Sequence, residues 1–388
     1  MTPKERMARA MSGQRPDRVP VMCQMSIGHM LLRTGIPPLE FWFSEERFRE
    51  GLLDLRRRYR FDGVLVSLHG HAPDWEKGLL RVARDGETDV VSWKDGGRTE
   101  FPPDDLPRHH PAEPRLPPAI AGFNPASIPE RLDYIPVSQG LAFRIDPGRR
   151  VEIHRRILAD AGSSFSVHGE VTSPLDYFLD LFGFAGGFLA LAEDPARSRA
   201  VLEKFTDGVI GIALEQARLG LDAIKISSPY AGAGFISPAC YRAFVLPFES
   251  RIARAVRAAG VHVYTHTCGA VRDRLEMMAE AGVSGIECLD PPPLGNVELA
   301  DAKARLGPTV FIKGNIDPVN TLLRGTRSAV EADVRLRLGI GMTGGGYILS
   351  TACSIAPGTP AENVELLAPL AASEGRYPAA SSRGGNSI

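Results

Sequence analysis

The stretch "VHVYTHTCGAVRDRLEMMAEAGVSGIECL", residues 261–289, decides how the fold is read. It opens on an apolar, β-branched run at 261–267, passes through a helical pattern that closes on Gly282, and ends on a second such run at 283–289. That is a strand, a helix and a strand. Runs of the same kind recur at 18–24, 63–69, 164–170, 223–229, 309–315 and 347–353, which makes eight in all. Amphipathic helical patterns at 195–220 and 237–260 fill other gaps, opening with Pro or Ser and closing on Gly. Eight alternations predict an α/β chain folded as a (β/α)8 TIM barrel rather than an open sheet.

The first half is less regular, and residues 70–160 read as an insert. Within it, "LLRVARDGETDVVSWKDGGRTEFPP" (79–103) reads as a hairpin turning at Asp-Gly. The proline-rich "PPDDLPRHHPAEPRLPP" (102–118) reads as a surface loop or lid, with His109 and His110 at the surface. The expectation is one barrel domain over 1–373, with an N-terminal helical extension and a disordered tail at 374–388.

Among 388 residues, 45 basic side chains face 46 acidic ones, a formal charge of -1. That removes the electrostatic footprint of a nucleic-acid binder or of a protein held to anionic membranes. The N-terminus "MTPKERMARAMSGQRPDRVPV" lacks the apolar core of a signal peptide, so a cytoplasmic location is expected. In "PLDYFLDLFGFAGGFLALAEDP" (174–195), Asp176, Asp180 and three glycines argue for a buried helix, not a membrane span. The five cysteines, at 23, 240, 268, 288 and 353, have no disulfide spacing and read as free thiols or metal ligands.

Barrel active sites lie at the C-terminal ends of the strands. His266 and Cys268, two apart at the end of one run, project to the same side if the strand conformation persists. Taken alone, such a pair reads more readily as a core histidine beside an inert thiol. Cys353 ends the last run, however, and Glu287 and Cys288 end the run at 283–289. His266, Cys268 and Cys353 form a complete nitrogen and sulfur set for a catalytic Zn2+, with one position left for exchange. Glu287 reads either as the fourth ligand, until a substrate displaces it, or as a rim partner. Cys288 should face away from Glu287 and pack, and Cys23 and Cys240 read as structural. Other residues expected at the mouth are Glu170, Ser227, Ser228, His69 and His71. Lys313 follows the seventh run; Asn315 and Asp317 read as structural, and Gly344–Gly346 as a turn at the barrel's bottom.

The segments "RPDRVPVM" (15–22), "FISPACYRAFVLPFESRI" (235–252), "YTHTCG" (264–269), "FIKGNIDPVNTLLRGT" (311–326) and "GGGYILSTACSIAPGTPAENVELL" (344–367) resemble the uroporphyrinogen decarboxylase superfamily. The resemblance runs from about residue 4 to residue 373. The H-x-C with a distant Cys resembles its zinc-dependent methyltransferase branch, which includes methylcobamide:coenzyme M methyltransferases and O-demethylating methyltransferases. This implies zinc on His266, Cys268 and Cys353, a corrinoid (cobalamin) carried by a partner protein, and a small-molecule thiol or methyl ether as the other reactant. Glu287, Glu170 and His69 become the candidate catalytic residues. The decarboxylase proper grips a tetrapyrrole with an arginine-rich N-terminal segment and an early acidic residue. Here the counterparts offer only Arg33, and Leu68 with His69 in place of the acid. A carboxy-lyase is therefore the alternative, and a non-catalytic zinc- or corrinoid-binding barrel a third reading.

Overall fold

The computed structural model of the chain describes residues 1–67, 74–114, 116–137, 142–307 and 309–378. Seven of the eight expected strands form: β1 (Gly63–Val66), β2 (Ser166–Thr172), β3 (Ala223–Ser227), β4 (His262–Thr267), β5 (Gly285–Cys288), β6 (Phe311–Ile316) and β7 (Tyr347–Thr351). They lie side by side in chain order, every pair parallel. Parallel pairing demands a crossover between strands, and helices such as Pro195–Ala217 and Leu299–Leu306 supply it.

The sheet is curled. Leu65 of β1 and Ile348 of β7 sit on opposite edge strands, yet they share one buried cluster with Met22, Ala223, Tyr264 and Phe311. A flat sheet would hold them far apart. The N-terminal helix Pro3–Met11, started by a Thr2/Glu5 capping box, inserts Met7, Ala10 and Met11 into the same cluster and stoppers that end.

The eighth run, 18–24, does not become a ladder. Pro20 has no N–H to donate, and only isolated bridges form at Arg18, Val21 and Met25. Its main chain still bonds to both sheet edges. Leu349 N donates to Pro20 O (2.9 Å) and Met22 N to Leu349 O (3.1 Å), while Asp62 N, just before β1, donates to Val21 O (2.7 Å). The Asp62 carboxylate is 1% exposed and accepts from Val21 N (2.8 Å), Arg6 Nη1 (2.5 Å) and Arg18 Nη1 (3.0 Å). Asp62→Ala leaves the Val21 amide without its acceptor and removes the carboxylate shared by Arg6 and Arg18, although Arg6 keeps its pairing with Asp17, and a loss of about 3 kcal/mol is expected from urea unfolding.

Other departures from expectation have local causes. The insert holds a four-stranded antiparallel sheet (Leu79–Asp85, Thr88–Trp93, Arg98–Phe101, Arg108–His110), because part of the proline-rich segment pairs back onto 98–100, followed by a two-stranded sheet (Tyr134–Pro136, Ala142–Arg144) and the helix Glu152–Ala161. His109 and His110 are exposed, as expected. The helical pattern at 237–260 breaks into Pro238–Phe244 and Leu246–Ala258 beside Pro247. The apolar stretch from 174 folds as two helices, Pro174–Phe182 and Phe184–Glu193, bent by 105°. No single helix among the described residues is long and apolar enough to cross a membrane. The expected tail is ordered at its start: Gly375 O accepts from Val19 N (2.8 Å), Tyr377 N donates to Asp17 O (3.2 Å), and Tyr377 is buried.

Candidate metal centre

Side chains alternate faces along a strand. Tyr264 belongs to the inner cluster, so His266 on β4 also points inward. The register sets His266 opposite Glu287 on β5 and Glu287 opposite Lys313 on β6. Three side chains on three adjacent strands thus stand in a row at one level, each under 5% exposed. His266 Nδ1 donates to Glu287 Oε2 (3.1 Å), and Glu287 Oε1 is paired with Lys313 Nζ. Burial works to raise the Glu287 pKa, but Lys313 and the His266 bond outweigh it and hold the carboxyl well below its ordinary range. The carboxylate therefore fixes the tautomer and orientation of the imidazole.

With Nδ1 occupied, Nε2 faces the cysteines. It lies 3.3 Å from Cys268 Sγ and 4.0 Å from Cys353 Sγ, and the two sulfurs are 3.8 Å apart. The three ligand atoms lie within 4.8 Å of one another, a group able to hold a metal ion. Cys268 follows β4 directly and Cys353 lies just past β7, so the strand ends do converge as expected. Bonds from Cys268, and then Cys288, hold the Cys353 thiol well below its ordinary pKa. Burial alone would depress the His266 pKa; the charge and bond of Cys268 raise it far above its usual value. The field at Nε2 favours a positive charge there. Glu287 lies outside the group, since it engages the other ring nitrogen.

Strand alternation does not hold at Cys288. Its φ of 84° ends β5 and turns the buried thiol to donate to Asp290 Oδ2 (3.2 Å), which also accepts from Gly269 N (2.6 Å). Burial, and then the Cys268 and Cys353 thiols, push the Cys288 pKa well up. Instead of merely packing away from Glu287, Cys288 lies beside the Cys268 and Cys353 thiols. Glu170 pairs with the fully buried Lys225 at 2.7 Å, and Lys225 donates to Gln24 Oε1 (2.7 Å). Glu170 does not cap the next helix; Ser173 does. Ser228 is buried, its N–H bonded to His266 O (2.9 Å). Asn315 and Asp317 bond to main chain around β6, as structural residues do. Gly344–Gly346 all have positive φ, in a turn before β7. His69 and His71 lie outside the described residues.

Two buried carboxyls, Asp176 and Glu249, flank the site, and no sequence pattern points to them as chemical groups. Burial pushes Asp176 up to about 8 and Glu249 up to about 7. Each keeps its proton in the folded protein at a pH where the unfolded chain has lost it. Their stabilising contribution is full below their ordinary values of 3.8 and 4.5, and it is lost as pH rises through about 7–8. Thermal unfolding from pH 5 to 9 should show falling stability, with a slope of up to about 1.4 kcal/mol per pH unit per group. Glu249→Gln should flatten that slope.

The family model described as uroporphyrinogen decarboxylase matches residues 148–373, more than half of the chain. The chain belongs to the uroporphyrinogen decarboxylase family. That region carries β2 to β7 and all three members of the candidate metal-binding group. Among relatives, the uroporphyrinogen decarboxylase of Gloeobacter violaceus is 31% identical over 188 residues, 46% of this chain and 51% of that protein. The methylcobamide:CoM methyltransferase MtaA of Methanosarcina barkeri is 26% identical over 239 residues, 62% of this chain and 67% of that protein. The match to the first relative thus spans about half of its length. A solved methyltransferase from Methanosarcina mazei superposes with a TM-score of 0.70 at 21% identity, covering 95% of this chain and 98% of that one. This family member therefore shares its fold.

Proposed function

We propose that this protein is a zinc-dependent methyltransferase that moves a methyl group between a corrinoid held by a partner protein and a thiol or a methoxylated small molecule. The observation that carries the reading is the triangle of His266, Cys268 and Cys353. A zinc ion bound tetrahedrally sets sulfur–sulfur edges of about 3.8 Å and sulfur–nitrogen edges of about 3.6 Å. The triangle's edges are 3.8, 3.3 and 4.0 Å. Three protein ligands leave the fourth position for a reactant, as in catalytic sites. The bonds of residues 20–22 to both sheet edges support closure of the sheet as a (β/α)8 barrel with this group at its mouth.

The methyl group leaves its oxygen, sulfur or cobalt without the bonding pair, which stays on the atom it leaves, and the acceptor's lone pair makes the new bond. When bound, zinc would supply Lewis acidity, stabilising the electron pair on the oxygen or sulfur that gives or takes the methyl. The chain's own residues do the rest. Cys268 and Cys353 supply negative sulfur, and His266 supplies Nε2 in a fixed orientation. Glu287 holds the imidazole, and Lys313 neutralises Glu287. In this arrangement Glu287 acts as a positioning residue, although it was also a candidate fourth ligand. Glu170 and Lys225 form a second neutral pair on β2 and β3, available to contact a reactant.

Purified protein should contain close to one zinc per chain and should transfer a methyl group from methylcob(III)alamin to at least one thiol, or from at least one methyl ether to chemically reduced cob(I)alamin. Protein that takes up no zinc and transfers no methyl overturns the reading. The likeness to the Gloeobacter decarboxylase keeps one other activity testable: turnover of uroporphyrinogen with no metal bound would establish a carboxy-lyase instead.

A further inference from the structure

Cys268 stands one residue past the end of β4, outside the paired register of the sheet. Strand geometry therefore does not hold it. Gly269, next in the chain, has a φ of 76°, so the main chain turns away directly after the thiol. Cys268 Sγ nevertheless lies 3.3 Å from His266 Nε2. Two loops grip residues 268–272, one following β3 and the other following β5. From the first, Ser228 N donates to His266 O (2.9 Å) and Ala233 N to Ala270 O (2.8 Å). A Cβ on Gly232 would stand 2.5 Å from Cys268 O, so the two main chains touch there. The fully buried Arg274 ties this loop down by donating to Ala231 O (2.8 Å) and Ile236 O (3.0 Å). From the second loop, Asp290 Oδ2 accepts from Gly269 N (2.6 Å), and Asn296 Oδ1 accepts from Val271 N and Arg272 N (both 3.1 Å).

We infer that Asp290 and Gly232 are positioning residues that set the Cys268 thiolate against the metal position. The inference rests on the metal reading and names what builds its geometry. Metal–ligand distances tolerate only about 0.2 Å of displacement, so a shift of the Cys268 peptide is felt at the ion. Asp290 is 5% exposed, and a carboxylate accepting from a main-chain N–H makes a strong bond that fixes Gly269 and, through it, Cys268. Gly232 has φ −79° and ψ 170°, a conformation open to any residue. Glycine is needed there for the close approach alone. Because the atom it meets is a main-chain oxygen, a methyl group at 232 has to displace Cys268 or its own loop. Gly234, in the same loop, provides the contrast, since a Cβ there would meet nothing within 4 Å.

The test is zinc competition against a chromogenic chelator, with the visible spectrum of the Co2+-loaded protein as a second readout, for Gly232→Ala, Gly234→Ala, Asp290→Ala and Asp290→Asn. Gly232→Ala and Asp290→Ala should each weaken zinc binding by about tenfold or more and shift the Co2+ bands, which report thiolate coordination directly. Gly234→Ala should match wild type. Asp290→Asn still presents an oxygen to Gly269 N and should bind zinc within about threefold of wild type. Urea unfolding of the metal-free proteins checks that each variant folds, and if Gly232→Ala does not, the two Asp290 variants decide. Wild-type zinc affinity in folded Gly232→Ala or in Asp290→Ala, or an equal loss in Asp290→Ala and Asp290→Asn, overturns the inference and leaves the metal centre standing. Wild-type protein that binds no zinc would instead sink the methyl-transfer reading, and this inference with it.

Discussion

Cys353→Ser is expected to weaken zinc binding by about 10²- to 10³-fold, and Cys268→Ser by a similar factor. Structural zinc sites bind with roughly 10–16 kcal/mol spread over four ligands, so one thiolate accounts for about 3–4 kcal/mol. The wild-type geometry gives each sulfur an equivalent part, since each lies within 4.0 Å of both other donor atoms. Metal competition against a chromogenic chelator measures the change directly. Full zinc retention in both variants would remove the metal centre from consideration. Cys23→Ser serves as the control, because that buried thiol is not part of the group.

The second large effect is expected at Lys313. Its ammonium is fully buried and pairs with Glu287 on the adjacent strand. Lys313→Met leaves the buried Glu287 carboxylate with only its His266 bond, which costs about 3–5 kcal/mol. The carboxyl then takes up a proton and loosens its hold on His266, and zinc affinity should fall by about 10- to 100-fold. The double variant Lys313→Met/Glu287→Leu should recover most of the stability, because no buried charge remains, yet it should not recover the metal affinity. Urea unfolding and zinc titration of the three proteins separate the two roles. If Lys313→Met alone matched wild type in both measurements, the row of three side chains would have no functional meaning.

Seven strands were legible because buried parallel strands are short β-branched runs, and their observed bounds fall within three residues of the expected ones. The run at 18–24 misled because residue type predicts a strand where Pro20 prevents the ladder. That His266, Cys268 and Cys353 come together was legible from residue type and strand-end position. The role of Glu287 was not, since a sequence does not say which ring nitrogen a carboxylate will take. Lys313 was noticed without a role, yet counting by twos from the inner faces of β5 and β6 would have set it beside Glu287. Cys288 was misjudged because strand alternation fails at a positive φ. Asp176, Glu249 and Gly232 were out of reach, since their proximity depends on how helices and loops fold over the strand ends.

The two lysine–glutamate pairs inside the sheet have a consequence for what the site can admit. Lys225 with Glu170, and Lys313 with Glu287, sum to zero formal charge. A dication shared by the two thiolates would also sum to zero. With zinc bound as proposed, these groups would be electroneutral before any reactant arrives, and a third thiolate would carry one uncompensated negative charge among them. A neutral ether would not, so charge parity alone separates the two kinds of guest before shape is consulted.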